Sequence, residues 1–349
     1  MNKKIIIYAP NVRSGGGVVL LQALLDDAKR QRSIVAIVDV RAKEVLKISP
    51  VVDYVWVTPG FVGRLKAELR LKTLGGPNDG ILCFHGLPPL FVRGREVVVF
   101  VQNRLMFSAA GIKRMSARTR LRTLLERMIA IICRRYVTRY VVQTPSMARV
   151  LCHWHRGKPD VRIAPFTSQT VARQSHESGG VRWDFVYVAN GEAHKNHDVL
   201  LKAWKLLADQ GVKPTLALTL GPSDSALWRR IEQECPLRGL FITNLGQMRH
   251  EEILELYGNS SSLIFPSLYE SFGLPLVEAS RMGLPIVASE LDFVRDVCNP
   301  AQTFDPNSEV SIARAVKRFL GKHDAGMFIQ DGGGWLDDIF KREKATSQA

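Results

Sequence analysis

No stretch of the 349 residues is apolar for long enough to cross a bilayer as a helix, and Met1 to Pro10 carries only the short run IIIYA before a proline and a glycine cluster. The opening residues therefore read as neither a membrane span nor a secretory leader. Cysteines are few: Cys83, Cys133, Cys152, Cys235 and Cys298 lie far apart, are odd in number and form no CxxC pair. That excludes a disulfide scaffold or a thiolate zinc motif and points to a reducing, cytoplasmic setting. His153 and His155 stand two apart, so on a helix they face different directions, and no further ligands gather near them; no metal is expected. Internal repeats and low-complexity tracts are absent. Acid is also scarce, with 33 Asp and Glu against 48 Lys and Arg, a net charge of +15 that favours anionic partners.

What is present is ample apolar material, 46% of residues, in a chain longer than one core usually organises. Short β-branched runs (KIIIY, SIVAIV, YVWV, GILCF, VVVFV, YVVQ) alternate with longer helix-like segments, the pattern of a parallel sheet wound with helices. The polar stretch TSQTVARQSHESGG interrupts it as a linker. From Trp183 the pattern restarts, with DFVYVA, TLALTL, LFIT, SLIF and PIVAS between helical segments. The expected fold class is α/β, with two facing Rossmann-like, doubly wound domains at 1–168 and 181–325 and a cleft between them. A tail follows at 326–349, and ligands are expected beyond the carboxyl ends of the strands.

The most informative segment is FPSLYESFGLPLVEAS at 265–280. Apolar SSLIF before it reads as a buried strand and LVEASRMG after it as a helix, so the loop holding Glu270 and Gly273 joins strand to helix. Amides at such a helix start face bound phosphate, Gly273 permits close approach, and Glu278 lies further along in reach of a ribose. Lys195, in GEAHKNH between a strand and a helix, projects an ammonium group toward the same cleft. Preorganised charge beside a leaving diphosphate is commonly a large catalytic term. Gly15, Gly16 and Gly17 in NVRSGGG follow the first strand, where amides can cradle an anion or the turn is simply tight. His85, ending GILCFHG, suits either acceptor binding or strand-end capping.

These segments, with TLGPSDS, NLGQMRHEEILELY and GLPIVASELDFVRDV in order, resemble the retaining glycosyltransferases of family 4, which share the GT-B fold. The likeness is firmest from Trp183 to Phe319. It implies a nucleoside diphosphate sugar donor held by the second domain: Glu270 on sugar hydroxyls, Glu278 on the ribose, amides of Phe272, Gly273 and Leu274 on sugar and phosphates, and Lys195 on the diphosphate. The glycine pair Gly16 and Gly17 would line the cleft. The acceptor, a glycan in lipid-linked form, would meet the first domain near His85, Gln102 and Asn103. Two positions depart from the family: Asn190, Gly191 and Glu192 stand where relatives place an arginine, leaving His194 or a first-domain residue to compensate. Gln102 and Asn103 stand where several relatives have a histidine. The implied chemistry is front-face attack without a general base, and no Asp-x-Asp sequence offers the usual magnesium handle, so neither cofactor nor metal is expected.

Between Lys113 and Arg149 ten basic residues face one acid, Glu126. Leu121, Leu124, Leu125, Met128, Ile129 and Ile132 recur at helical spacing there, while Lys113, Arg120, Arg127 and Arg134 recur every seven residues on a neighbouring face. Two arrangements fit: an interfacial helix over 113–139 on an anionic inner leaflet, or an amphipathic helix packing its apolar side on the sheet with a solvated basic rim. Lipopolysaccharide or other surface-polysaccharide synthesis at the cytoplasmic membrane is the expected setting. An epimerase or phosphorylase of the same fold is an alternative, as is a basic nucleic-acid-binding protein, against which stand the few interleaved aromatics and the lack of a recognised RNA or DNA module.

Overall fold

The computed structural model describes residues 4–13, 15–27, 33–84, 86–92, 94–108, 117–155, 157–167 and 182–322. The expected linker beyond Thr167 and the expected tail crossing back to the first domain lie outside the described residues.

The first sheet is built from β1 (Ile5–Ala9), α1 (Gly16–Asp27), β2 (Ile34–Asp39), β3 (Val52–Val57), α2 (Phe61–Thr73), β4 (Gly80–Cys83), β5 (Glu96–Phe100), α3 (Ala117–Cys133), β6 (Arg139–Val142), α4 (Pro145–His155) and β7 (Val161–Ile163). The second is built from β8 (Trp183–Tyr187), α5 (His197–Asp209), β9 (Leu216–Leu218), α6 (Ser225–Arg238), β10 (Ile242–Asn244), α7 (His250–Gly258), β11 (Ser260–Phe265), α8 (Leu274–Arg281), β12 (Ile286–Ser289), α9 (Asp292–Arg295), β13 (Gln302–Phe304) and α10 (Glu309–Phe319). All pairings are parallel, in the orders β3-β2-β1-β4-β5-β6-β7 and β10-β9-β8-β11-β12-β13. Strands covered by helices on both faces read as continuous apolar runs: β2, IVAIVD, is buried at all six positions and β12, IVAS, at all four.

Strand order fixes where a ligand can sit. In each sheet successive connections run outward in opposite directions from the middle pair, β1/β4 in the first and β8/β11 in the second, which opens a crevice at their carboxyl ends. The loops after β1, β8 and β11 carry Gly16 and Gly17, Lys195, and Glu270. Right-handed crossovers place α1 on one face of the first sheet and α2, α3 and α4 on the other. The packing agrees: Leu21 and Leu25 of α1 cluster with Ile7 and Ala36, whereas Ala67 and Leu71 of α2, Ala130 of α3 and Leu151 of α4 cluster with Ile6 and Ile81.

Helix α3 corrects an expectation. Its inward side is made of Thr123, Ala130 and Cys133, small groups that let it lie close to the sheet, while Leu121, Leu124, Leu125, Met128, Ile131 and Ile132 face outward, each 46–61% exposed. The apolar stripe therefore does not pack on the sheet. Nor do the arginines spaced by seven form a free basic face. Arg127 turns inward, its guanidinium donating to the carbonyl oxygens of Leu105 and Ser108, and Arg134 donates to the His155 carbonyl at 3.3 Å. Arg127 serves to cap the short 3-10 turn at Arg104–Met106, and burial lowers its pKa.

Candidate active site

The loop from Pro266 to Gly273 leaves β11 and enters α8 at Gly273, whose φ of 77° is left-handed. A Cβ there would also meet the Leu276 side chain at 3.0 Å, so both backbone and packing demand glycine. Pro275, second in the helix, needs no amide partner. Leu276 and Val277 donate back to the Gly273 carbonyl, and among the described residues the amides of Gly273 and Leu274 have no acceptor. They face the cleft at the positive end of a helix dipole, where an anion is favoured.

Lys195 and Glu270, 75 residues apart, meet across the crevice at 2.6 Å between Nζ and Oε1, with side chains 16% and 12% exposed. The lysine is carried on a single 3-10 turn, Ala193–Lys195, that sequence reasoning treated only as a loop. Three contacts hold that turn. The wholly buried Tyr187 hydroxyl donates to the Lys195 carbonyl at 2.7 Å and lies 3.1 Å from Ser267 Oγ. The Leu268 amide donates to the His194 carbonyl at 2.9 Å, tying the lysine turn to the glutamate loop. Asn196, with φ 64°, is the one non-glycine left-handed residue among those described, and its Nδ2 donates to the Pro266 and Pro306 carbonyls at 3.2 and 2.7 Å. A strained residue over-determined by two buried hydrogen bonds is characteristic of a positioned functional group. The signal in the sequence was the Lys-Asn pair just before an apolar-periodic helix, where asparagine tolerates the left-handed conformation.

His194 stacks on Tyr269, ring centroids 4.6 Å apart and planes 12° from parallel. Burial and the adjacent Lys195 ammonium lower its pKa, so at neutral pH it is a neutral ring and does not supply the missing second cation. At Gly191 a Cβ would meet Asp224 at 2.8 Å, and Glu192 after it approaches His194 with its carboxylate at 3.6 Å. A first-domain guanidinium does approach the loop: Arg104 has a buried Nε without a hydrogen-bond partner and interacts electrostatically with Tyr269 and Asp292.

The first-domain wall comes close. Gly16 opens α1, and a Cβ there would lie 3.6 Å from Leu274 of the second domain; one at Gly17 would lie 3.5 Å from Gln102 Oε1. Gln102 is held through side chain and backbone, its Nε2 donating to the Phe84 carbonyl at 2.8 Å and its main-chain carbonyl accepting from Ser271 Oγ at 2.6 Å. Thr144 Oγ1 donates to the Ser271 carbonyl at 3.2 Å, so the glutamate loop is clasped by the first domain. Asn103, expected on the acceptor side, instead caps the 3-10 turn, accepting from the Leu105 amide at 3.0 Å. His85 lies outside the described residues.

Glu278 sits just over one turn into α8, which begins at Leu274. It is 3% exposed, accepts from the Tyr257 hydroxyl at 3.3 Å and lies 3.5 Å from His250 Nδ1. Burial pushes its carboxyl up to about 7, partly offset by the Tyr257 hydrogen bond. A buried acid titrating near neutrality, one turn along the helix from open amides, is the electrostatic signature of a ligand site. A separate interdomain cavity of about 290 Å³ opens against Phe272, Val277 and Arg281, and Glu278 is not among its lining residues.

The paired sheets with ligand-facing switch points have the GT-B glycosyltransferase architecture. HepE of Anabaena, solved in complex with UDP and glucose, superposes with a TM-score of 0.69 at 15% identity, covering 91% of this chain and 90% of HepE. Sucrose-phosphate synthase of Thermosynechococcus elongatus gives 0.71 at 19% identity over 92% and 90%. Residues 168–325 match the family described as glycosyl transferases group 1. The chain thus has the GT-B fold, and the stretch that holds its second sheet matches the group 1 family. O-antigen chain mannosyltransferase B of Escherichia coli is 32% identical over 139 residues, 39% of this chain and 36% of the relative. O-antigen chain mannosyltransferase RfbU of Salmonella typhimurium is 25% identical over 167 residues, 44% of this chain and 46% of the relative. The matched stretch spans less than half of either relative. Among the described residues no helix is long and apolar enough to cross a membrane.

Proposed function

We propose that the protein is a metal-independent, retaining glycosyltransferase of family 4 that moves a sugar, mannose before others, from a nucleoside diphosphate to a hydroxyl of a lipid-linked glycan. Surface-polysaccharide assembly at the inner face of the cytoplasmic membrane is its setting, with the basic segment 113–139 against anionic lipid. The observation that carries this reading is the Lys195–Glu270 pair set beside the open amides of Gly273 and Leu274 at the switch point of the second sheet. The mannosyl assignment rests on the names of the relatives.

In the proposed reaction the C1–O bond of the donor breaks and both its electrons stay on the departing diphosphate. Lys195 and the helix amides stabilise that growing charge, the largest single term available to such a site. The acceptor oxygen bonds C1 from the same face, and its proton passes to the departing phosphate oxygen. No general base is needed, which suits a cleft whose acceptor wall presents the neutral Gln102. Glu270 leaves its ion pair to accept from sugar hydroxyls as the diphosphate takes its place at Lys195. Glu278 accepts from the ribose. Arg104 offers the second cation that Glu192 cannot.

Lys195→Ala and Glu270→Ala test the assignment. Each is expected to abolish acceptor-dependent release of nucleoside diphosphate, assayed with a mannose nucleotide first and other sugar nucleotides after, while circular dichroism stays native; with side chains only 16% and 12% exposed, the charge left unpaired lowers melting without unfolding the chain at assay temperature. Full transfer by either variant overturns the reading. Product release without a glycan acceptor would place the chain among the epimerases or phosphorylases of this fold.

A further inference from the structure

Helix α2 repeats, one position along the sheet, what α3 does. Its inward residues are Ala67, Glu68 and Leu71, and its outward side carries Val62, Leu65 and Leu69, each 39–64% exposed. The buried Glu68 explains the orientation: it accepts from the Tyr8 hydroxyl at 2.7 Å and the Leu90 amide at 2.9 Å, which pins that side of the helix to the sheet and turns the leucine stripe out. α2 and α3 share one apolar cluster on one sheet face, opposite α1, so both outward stripes face away from the sheet on the same side. Nine large apolar side chains are thus turned outward on one side of the first domain, more than a monomer in water ordinarily exposes on one face.

The rim is basic. Lys66, Arg70 and Lys72 flank the α2 stripe and Arg120, Arg122 and Arg135 flank that of α3, all exposed; the acid Glu126 is paired with Arg122 at 2.9 Å. A second copy of this surface would set like charges against like, and nucleic acid would find no aromatic group among the nine to stack on. An anionic bilayer satisfies both parts, with acyl chains for the apolar side chains and headgroups for the rim.

We infer that α2 and α3 together form a lipid-inserting plane, so that attachment is carried chiefly by apolar burial and outlasts added salt. This rests on the membrane reading above and deepens it: the partner is the headgroup–acyl boundary, not the charged surface alone, and α2, outside the basic segment, is half of the contact.

The test is flotation of the full chain with vesicles of phosphatidylglycerol and phosphatidylcholine at low salt and at about 1 M salt, where charges beyond ~3 Å are screened. Wild type is expected to float in both. Leu65→Glu/Leu69→Glu on α2 and Leu124→Glu/Ile131→Glu on α3 are each expected to lower the partition coefficient by at least about tenfold, with melting unchanged because all four positions are exposed. If the α3 pair acts and the α2 pair does not, the two-helix plane is wrong and the membrane reading stands. Full release of wild type by salt overturns insertion and leaves an electrostatic attachment. Absence of flotation at low salt overturns both. Sedimentation as a dimer that Leu124→Glu/Ile131→Glu dissociates would assign the surface to a second copy instead.

Discussion

Replacing Glu278 with glutamine separates what the donor site requires from what the fold tolerates. The wild-type carboxyl is 3% exposed, with one hydrogen bond from Tyr257 and His250 at its edge, and it titrates near 7 where an unfolded chain has about 4.5. A carboxyl whose folded pKa is raised binds its proton better in the native state. Its stability contribution is therefore intact below pH 4.5 and is lost as pH rises through 7. At pH 8 the ionised form is disfavoured by about 3 kcal/mol relative to a neutral group, and His250, held neutral there by burial, does not compensate. Glutamine keeps the shape, stays neutral and still accepts from Tyr257. Glu278→Gln should thus be more stable than wild type by up to about 3 kcal/mol at pH 8, roughly 6–10 °C in Tm, and indistinguishable from it near pH 4. The same variant should lose most of the thermal shift that nucleoside diphosphates give wild type, because an amide replaces the carboxylate that takes the ribose hydroxyls. Stabilisation bought by emptying a site of its charge is a common signature of function. Equal or lower stability at pH 8, or a difference that does not depend on pH, would refute the argument that this acid is held against its preference.

Asn196→Gly keeps the left-handed backbone and loses only the hydrogen bonds to Pro266 and Pro306, whereas Asn196→Ala loses both and adds about 1 kcal/mol of strain. Melting should fall in the order wild type, glycine, alanine, and kcat should fall in both with KM for the donor changed less; an alanine variant as active as the glycine variant would remove Asn196 from its role in aiming Lys195. His197 lies against the Tyr187 ring with both ring nitrogens buried and unpartnered, and burial pushes its pKa down to about 3. A base with a depressed folded pKa loses stability as pH falls below about 6.5, so His197→Phe should gain about 2 kcal/mol at pH 5 and little at pH 8, measured by urea unfolding. Parallel pH profiles for the two proteins would contradict this.

Sequence period alone determined that the chain would make two parallel sheets, because alternation of β-branched runs with 3.6-residue periodicity is a local property that each segment carries wherever it packs. Runs such as IVAIVD and SSLIF have no polar face and must be covered on both sides, and Gly273 before LPLVEAS marks a strand-to-helix turn by backbone sterics alone. The pairing of Lys195 with Glu270 was legible only as two residues that each follow a strand. Their 2.6 Å contact exists because β8 and β11 are neighbours in the sheet, a fact of strand order.

What the tertiary structure decided was direction. An apolar stripe says that a helix is two-sided but not which side meets the sheet; for α3 the close approach of Thr123, Ala130 and Cys133 settled it, and the stripe went outward. The same holds for single side chains. Arg127 and Asn103 looked available and are spent on one 3-10 turn, while Glu278 lies buried beneath α7. Arg127 and Glu278 depend on partners about twenty residues away, and Gln102 on Ser271, further still. Periodicity within one segment carries no information about such distant neighbours, and burial, which sets pKa and exposure together, comes into being only when they meet.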